Sequence, residues 1–224
     1  MNNTTHYVWD ISIRTFHWLL VILIFGSYLT SELSDEWLYW HSNIGQLIFA
    51  LLIFRITWGF VGTDCARFSS FLTNKNKKPY IGHSPLGGLS VITMLLLLLA
   101  QVLSGMFSLN DEIDISGPLY NLVNSSVSSQ LTLLHSQISS ALLAIISIHI
   151  IAVIFYFIIK RKNLIAPMFT GYKQIYIRSL STHNNHINLS RFLFSITFSV
   201  TLYWLVNSGV FEIFFTNQKY LFLF

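Results

Sequence analysis

The stretch Leu131–Ile159, LTLLHSQISSALLAIISIHIIAVIFYFII, contains no Lys, Arg, Asp or Glu. It is longer than the roughly 20 apolar residues that carry a helix across a bilayer. Its only side chains that titrate near neutral pH are two histidines, His135 and His149, 14 residues apart. On a helix that spacing is roughly 21 Å along the axis, and the two positions return to within about 40° of the same face. One helix therefore offers two imidazoles to one side, at two depths.

Four further segments have a similar character: Ile11–Leu29, His41–Val61, Leu86–Leu109 with MLLLLLAQVL at its centre, and Phe192–Phe215, which Asn207, Gly209 and Glu212 interrupt. Over the whole chain of 224 residues, 53% are hydrophobic and 10% charged, with a mean hydropathy of +0.59. A soluble domain carries roughly 25% charged residues, so the composition points to lipid as the solvent. Backbone groups in hydrocarbon must pair within their own segment, which excludes open β-structure there. The expected fold is an all-α integral membrane protein. Its first four helices form one bundle, and a fifth, C-terminal helix also crosses. No cleavable leader is evident, because Asp10 and Arg14 flank a first segment that reads as a spanning helix.

The charges orient the helices. With the N-terminus in the cytoplasm, every Lys and Arg except Lys219 falls on the cytoplasmic side, while Glu32, Asp35, Glu36, Asp111, Glu112 and Asp114 lie in the two outer loops. Loop basicity of this kind sets orientation. The net charge of +4 thus reports topology and not a nucleic-acid partner. The outer loop Asn110–Gln130 is acidic and then serine-rich, and Lys160-Arg161-Lys162 reads as a flank touching anionic lipid. Trp37, Tyr39, Trp40 and Trp58 near helix ends read as interfacial anchors.

A single cysteine, Cys65, rules out an internal disulfide, covalent CxxCH haem attachment, and a zinc or iron–sulfur cluster built from this chain alone. Bound metal must rely on the eight histidines. His6, His83, His183 and His186 fall in aqueous segments, whereas His17, His41, His135 and His149 lie in or at spanning helices. A lone intramembrane histidine is explained by a hydrogen bond to a neighbouring helix, but the set of four carries more information. Two imidazoles on one helix suit two haems, each needing a second axial ligand at matching depth. The natural pairs are His41 with His135, and His17 with His149. Two strong axial nitrogens leave no open position on iron, which favours electron transfer over oxygen chemistry. His149 lies 11 residues before Lys160 and His17 only three after Arg14, so the fourth helix must tilt or protrude for the inner pair to meet. Arg14 and Arg55 suit haem propionates and equally suit positive-inside anchors. Gly45, Gly87, Gly88, Ser139, Ser140 and Ala141 suit close approach of a macrocycle or simply of another helix.

Five stretches carry a resemblance: VWDISIRTFHWLL (Val8–Leu20), WHSNIGQLIFALLIFRITWGFVG (Trp40–Gly62), YIGHSPLGG (Tyr80–Gly88), LHSQISSALLAIISIH (Leu134–His149) and NLIAPMFTG (Asn163–Gly171). In this order and spacing the chain resembles the bacterial cytochrome b561 family, which includes the b-type cytochrome subunit of nickel–iron hydrogenases. The resemblance covers about Val8–Gly171, roughly three quarters of the chain. It implies a four-helix di-haem core in the inner (plasma) membrane and two non-covalent b haems held by His17, His41, His135 and His149. It also implies electron transfer between quinone or quinol and a partner redox protein, of cytochrome c type or a hydrogenase or dehydrogenase subunit. Members of this shape often carry GHNP before helix three; here Ser84 stands in place of the asparagine. The chain so divides into a di-haem domain, 8–171, and a linker with the fifth helix, 172–224.

The expected activity is that of an electron-transfer subunit, as part of a quinone-linked oxidoreductase complex and not a stand-alone enzyme, with membrane lipid around it and room for a homodimer. Two other readings compete: a proton or ion transporter using the histidines as a relay, and a cofactor-free membrane anchor. The first lacks a carboxylate in the middle of the first four segments, and the second leaves the spacing of His135 and His149 unexplained. The charge pattern places the C-terminus outside, so a periplasmic phosphatase fused after Phe224 should be active. Activity of a fusion within Asn110–Gln130 without activity after Phe224 would mean that the fifth segment does not cross.

Overall fold

The structure, a computed structural model, describes residues 4–72, 85–110, 115–175, 186–211 and 213. The Gly82-His83-Ser84 part of the third stretch, His183, and the acidic group Asp111, Glu112 and Asp114 lie outside the described residues, as does the end of the fifth segment from 214 onward.

The chain runs through β1 (Thr4–Tyr7), α1 (Ile11–Glu32), α2 (Leu38–Val61), the single turn α3 (Ser69–Leu72) and α4 (Pro85–Met106). After α4 come the short strands β2 (Leu109–Asn110) and β3 (Ile115–Ser116), α5 (Ser125–Ile158), α6 (Ile165–Thr170), β4 (Tyr172–Ile175) and α7 (Leu189–Asn207). Five of these helices are long and apolar enough to cross a membrane, at the five segments expected. The fold is thus an all-helical membrane protein. The ends differ from the sequence reading for local reasons. α5 starts at Ser125, inside the expected loop, because Asn124 Oδ1 accepts the Val127 N–H at 2.9 Å and Ser129 bonds back to Ser125. A capping asparagine followed by such serines opens a helix as readily as a loop. α7 stops at Asn207, with Gly209 following at φ 70°, the left-handed conformation that ends a helix.

α5 has 34 residues and so extends for about 51 Å, against a hydrocarbon thickness of about 30 Å. Its only buried residues are Ser128 and Leu142, while Ile148, Ile151 and Phe155 are exposed. An apolar helix surface of that size needs lipid or a partner against it.

Contacts divide the chain into two units, and each long helix contributes to both. The first comprises Met1–Leu19, Phe54–Leu95 and Leu143–Ile196. Its core is Val8, Trp9, Ile13, Trp58, Cys65 and Ala66, with Phe54, Met168 and Phe192 packed on it. Asp10, 1% exposed, organises that core. Its Oδ1 caps α1 by accepting the Ile13 N–H at 3.0 Å. Its Oδ2 accepts the Trp58 indole N–H at 3.2 Å and the Thr63 hydroxyl at 2.5 Å. Trp58 is therefore not an interfacial anchor: it is fully buried, because its N–H serves a buried carboxylate. Trp37, Tyr39 and Trp40 are exposed, as anchors would be. In the same unit β1 pairs antiparallel with β4, Tyr7 opposite Tyr172. The Gly171 carbonyl accepts the Val8 and Trp9 N–H groups at 2.8 and 3.2 Å. Gly171 has φ 83°, and a Cβ there would meet the Trp9 carbonyl at 2.8 Å, so the turn requires glycine.

The second unit comprises Leu20–Ile53, Leu96–Leu142 and Thr197–Phe224. In it α1 packs on α2 near Gly26 and Ile44, and the Ser199 hydroxyl of α7 donates to the Ala50 carbonyl of α2.

Asp10→Ala removes a helix cap and leaves the Trp58 N–H and Thr63 hydroxyl unanswered, a loss of about 2–4 kcal/mol. Thermal unfolding followed by circular dichroism in detergent should give a clearly lower midpoint for Asp10→Ala than for Asp10→Asn, which keeps an acceptor oxygen. Equal midpoints for Asp10→Ala and the parent would contradict the cap.

Candidate cofactor site

The second unit holds His41 and His135 with ring centres 6.0 Å apart and ring planes perpendicular. Both rings are anchored in the same manner. His41 Nδ1–H donates to the Ser27 carbonyl of α1 at 2.8 Å, and that carbonyl also accepts the Thr30 hydroxyl at 3.0 Å. His135 Nδ1–H donates to the Gln101 carbonyl of α4 at 2.8 Å, and that carbonyl also accepts the Ser104 hydroxyl at 2.9 Å. In each case a helix carbonyl receives an imidazole and a hydroxyl three residues further along its own helix. The proton is thereby assigned to Nδ1 and the lone pair to Nε2. Such second hydrogen bonds are what orient a metal-ligating histidine.

Glycine makes room for one of these rings. A Cβ on Gly105 would meet His135 Cε1 at 2.7 Å, whereas one on Gly45 would meet nothing within 4 Å. No helix of the described protein presses on the Gly45 Cα in this way, and the glycine that gives room to a histidine ring is Gly105. Its place one turn beyond Gln101 on α4 is visible only once α4 and α5 are packed.

The first unit holds His17 and His149, which lie within electrostatic reach of each other. His17 stands edge-on to Trp18, ring centres 5.1 Å apart, and its Nδ1 is buried with no hydrogen-bond partner among the described residues. Trp18 stacks on Phe169 at 4.4 Å and donates its indole N–H to the Met168 carbonyl at 3.1 Å, which ties the ring region to α6. Arg14 Nη1 donates to the Phe169 carbonyl at the end of α6, while its Nε is buried without a partner among the described residues. Arg55 is 4% exposed, lies over the Phe68 ring at 4.8 Å, and has a buried Nη1 without such a partner.

The donor sets fit an iron porphyrin. An imidazole nitrogen binds a first-row metal at about 2 Å, so two rings on opposite sides of one ion sit about 6 Å apart, centre to centre; the His41–His135 separation has that magnitude. The buried orphan on His17 is a polar atom without an answer, costing about 1–3 kcal/mol. Among the described residues no group of three or more His, Cys, Asp or Glu could hold a metal, so paired imidazoles are the donors at hand.

The sequence model of the family described as prokaryotic cytochrome b561 matches residues 8–171. The chain belongs to the prokaryotic cytochrome b561 family. It is a multi-pass membrane b-type cytochrome, binds haem b, and is involved in electron transfer. The matched residues begin and end at Val8 and Gly171, the two residues joined by the 2.8 Å hydrogen bond beside the β1–β4 ribbon. No match was found among curated proteins or among solved structures.

Reading the sequence alone missed Ser27, Thr30, Gln101, Ser104 and Gly105. For Gln101 a signal existed: it is the one polar residue in MLLLLLAQVL, and a lone amide in such a run needs a partner. In this b-type cytochrome Gly105→Ala should deplete bound haem, because the new methyl displaces the His135 ring. The loss would run against helix propensity, which favours alanine over glycine by about 1 kcal/mol. Haem content measured per polypeptide reads this effect, and a Gly105→Ala variant with the parent's haem content would remove the close approach at Gly105 from the account.

Proposed function

We propose that this cytochrome holds two non-covalent b haems, one in each unit, on His41 with His135 and on His17 with His149. Through them it passes electrons between the quinone pool and a partner redox protein in a respiratory chain. The partner is a c-type cytochrome or a hydrogenase or dehydrogenase subunit, and the chain works as the electron-transfer subunit of a quinone-linked oxidoreductase complex. It sits in the inner (plasma) membrane with its N-terminus in the cytoplasm, an orientation that the distribution of Lys and Arg supports. Residues 8–171 carry the haems, and residues 172–224 add a linker and a helix.

The observation that carries this reading is the pair His41 and His135 at 6.0 Å, each with Nδ1 spent on a backbone carbonyl. A bound haem b supplies an iron that gains and loses one electron. The Ser27 and Gln101 carbonyls hold both rings turned with a proton on Nδ1, which leaves Nε2 as the nitrogen for a metal. Neither ring has to rotate or exchange a proton when the charge on its partner changes. Two imidazoles on one iron exclude a further ligand, which keeps the site to electron transfer. Arg14 and Arg55 supply positive charge for propionates in the first unit, because each keeps a buried guanidinium nitrogen without a partner among the described residues. A buried cation is costly in a membrane, and an anionic partner offsets that cost.

His135 and His149 are roughly 21 Å apart along α5, too far to share a macrocycle. A pyridine haemochrome assay on pure protein should therefore give close to two haems per polypeptide. In redox-titrated difference spectra His41→Ala and His135→Ala should remove one component, and His17→Ala and His149→Ala the other. The double variant His41→Ala/His135→Ala should lose little more than either single one, since both act on one site. A reproducible value near one haem, or His41→Ala depleting the component that His149→Ala depletes, would overturn the pairing.

A further inference from the structure

We propose that the Gln101 side chain is a displaceable cap on the ligand nitrogen of His135. The inference rests on the reading of His135 as an axial ligand. Gln101 follows the apolar run Met94–Ala100 in the last third of α4, where a buried amide is costly unless it is hydrogen-bonded. Its Nε2–H donates to His135 Nε2 at 3.1 Å, while its own backbone carbonyl takes the His135 Nδ1–H at 2.8 Å. One residue thus engages both nitrogens of one ring. The amide oxygen of Gln101 gains nothing from this arrangement: Oε1 is buried with no hydrogen-bond partner among the described residues. The side chain is committed to the imidazole through its nitrogen alone.

Nε2 of a neutral imidazole has a single lone pair. The Gln101 amide and an iron compete for it, so the amide must leave when the metal binds. His41 differs here. Its Nδ1 is held in the same way by Ser27, but its described hydrogen bonds are all at Nδ1, and no described group occupies Nε2. Within the proposed pair the competing amide is therefore a feature of His135. The cap keeps the His135 imidazole neutral, oriented and satisfied inside lipid, and it lowers the affinity for haem by the net worth of one hydrogen bond, about two- to tenfold.

The sign of this effect separates a cap from a purely structural glutamine. Losing a structural contact loosens haem, whereas losing a competitor tightens it. Gln101→Met keeps length and volume but cannot donate, and Gln101→Asn keeps an amide too short to reach Nε2. Full-length holoprotein of each variant is brought to equilibrium with a haem-free globin scavenger, and the retained haem is read in redox-resolved difference spectra. Both variants should hold the His41–His135 component about two- to tenfold more tightly than the parent, with the His17–His149 component unchanged. Retention equal to or weaker than that of the parent in Gln101→Met and Gln101→Asn overturns the cap. His135→Ala in the same assay tests the reading beneath it. If that variant keeps the component, the ligand assignment fails; if it loses the component while the glutamine variants are no tighter than the parent, the cap alone fails.

Discussion

An imidazole inside a hydrocarbon phase has two polar nitrogens and no water to satisfy either. In the second unit this constraint is met at one nitrogen of each ring by a helix carbonyl, Ser27 for His41 and Gln101 for His135. A carbonyl in an α-helix already receives a backbone N–H, and its second lone pair is free for a side chain. The hydroxyls of Thr30 and Ser104 share those same two carbonyls. The result is a fixed tautomer for each ring, bought without any charged group in the membrane. Gly105 belongs to the same arrangement, since α4 can lie this close to the His135 ring only where no Cβ intervenes.

The first unit is held by a different polar element. Asp10 is buried and accepts three hydrogen bonds, one from the start of its own helix and two from Trp58 and Thr63. It joins the beginning of α1 to the end of α2. Gly171 joins the same region to the end of α6 through the Val8 and Trp9 N–H groups. The family match begins and ends on the two residues of this contact. His17, Trp18, Phe169 and Arg14 lie together within this unit.

The two units treat their histidines unequally. In the second, the rings stand at a separation suited to one metal ion and are hydrogen-bonded at Nδ1. In the first, His17 Nδ1 is unanswered among the described residues, and two guanidinium groups keep unpartnered nitrogens. Buried groups of that kind are expensive in lipid, and they are what supports the haem proposed for this unit.

The five apolar helices, the number and spacing of the intramembrane histidines, and the family were all legible in the chain itself. Hydrocarbon permits so few backbone structures that length and hydropathy nearly decide the fold, and helix geometry turns the spacing of His135 and His149 into a face and a separation. Helix ends were less legible, because Ser125–Ser129 reads equally as loop or helix until Asn124 caps it. The role of Trp58 was misread because position near a helix end does not reveal a carboxylate 48 residues away. The partners of the imidazoles were beyond reach for the same reason. Ser27 with His41, and Gln101 with His135, are contacts between helices, set by the rotation of one helix against another. Periodicity within a single helix carries no information about that rotation; only packing decides it.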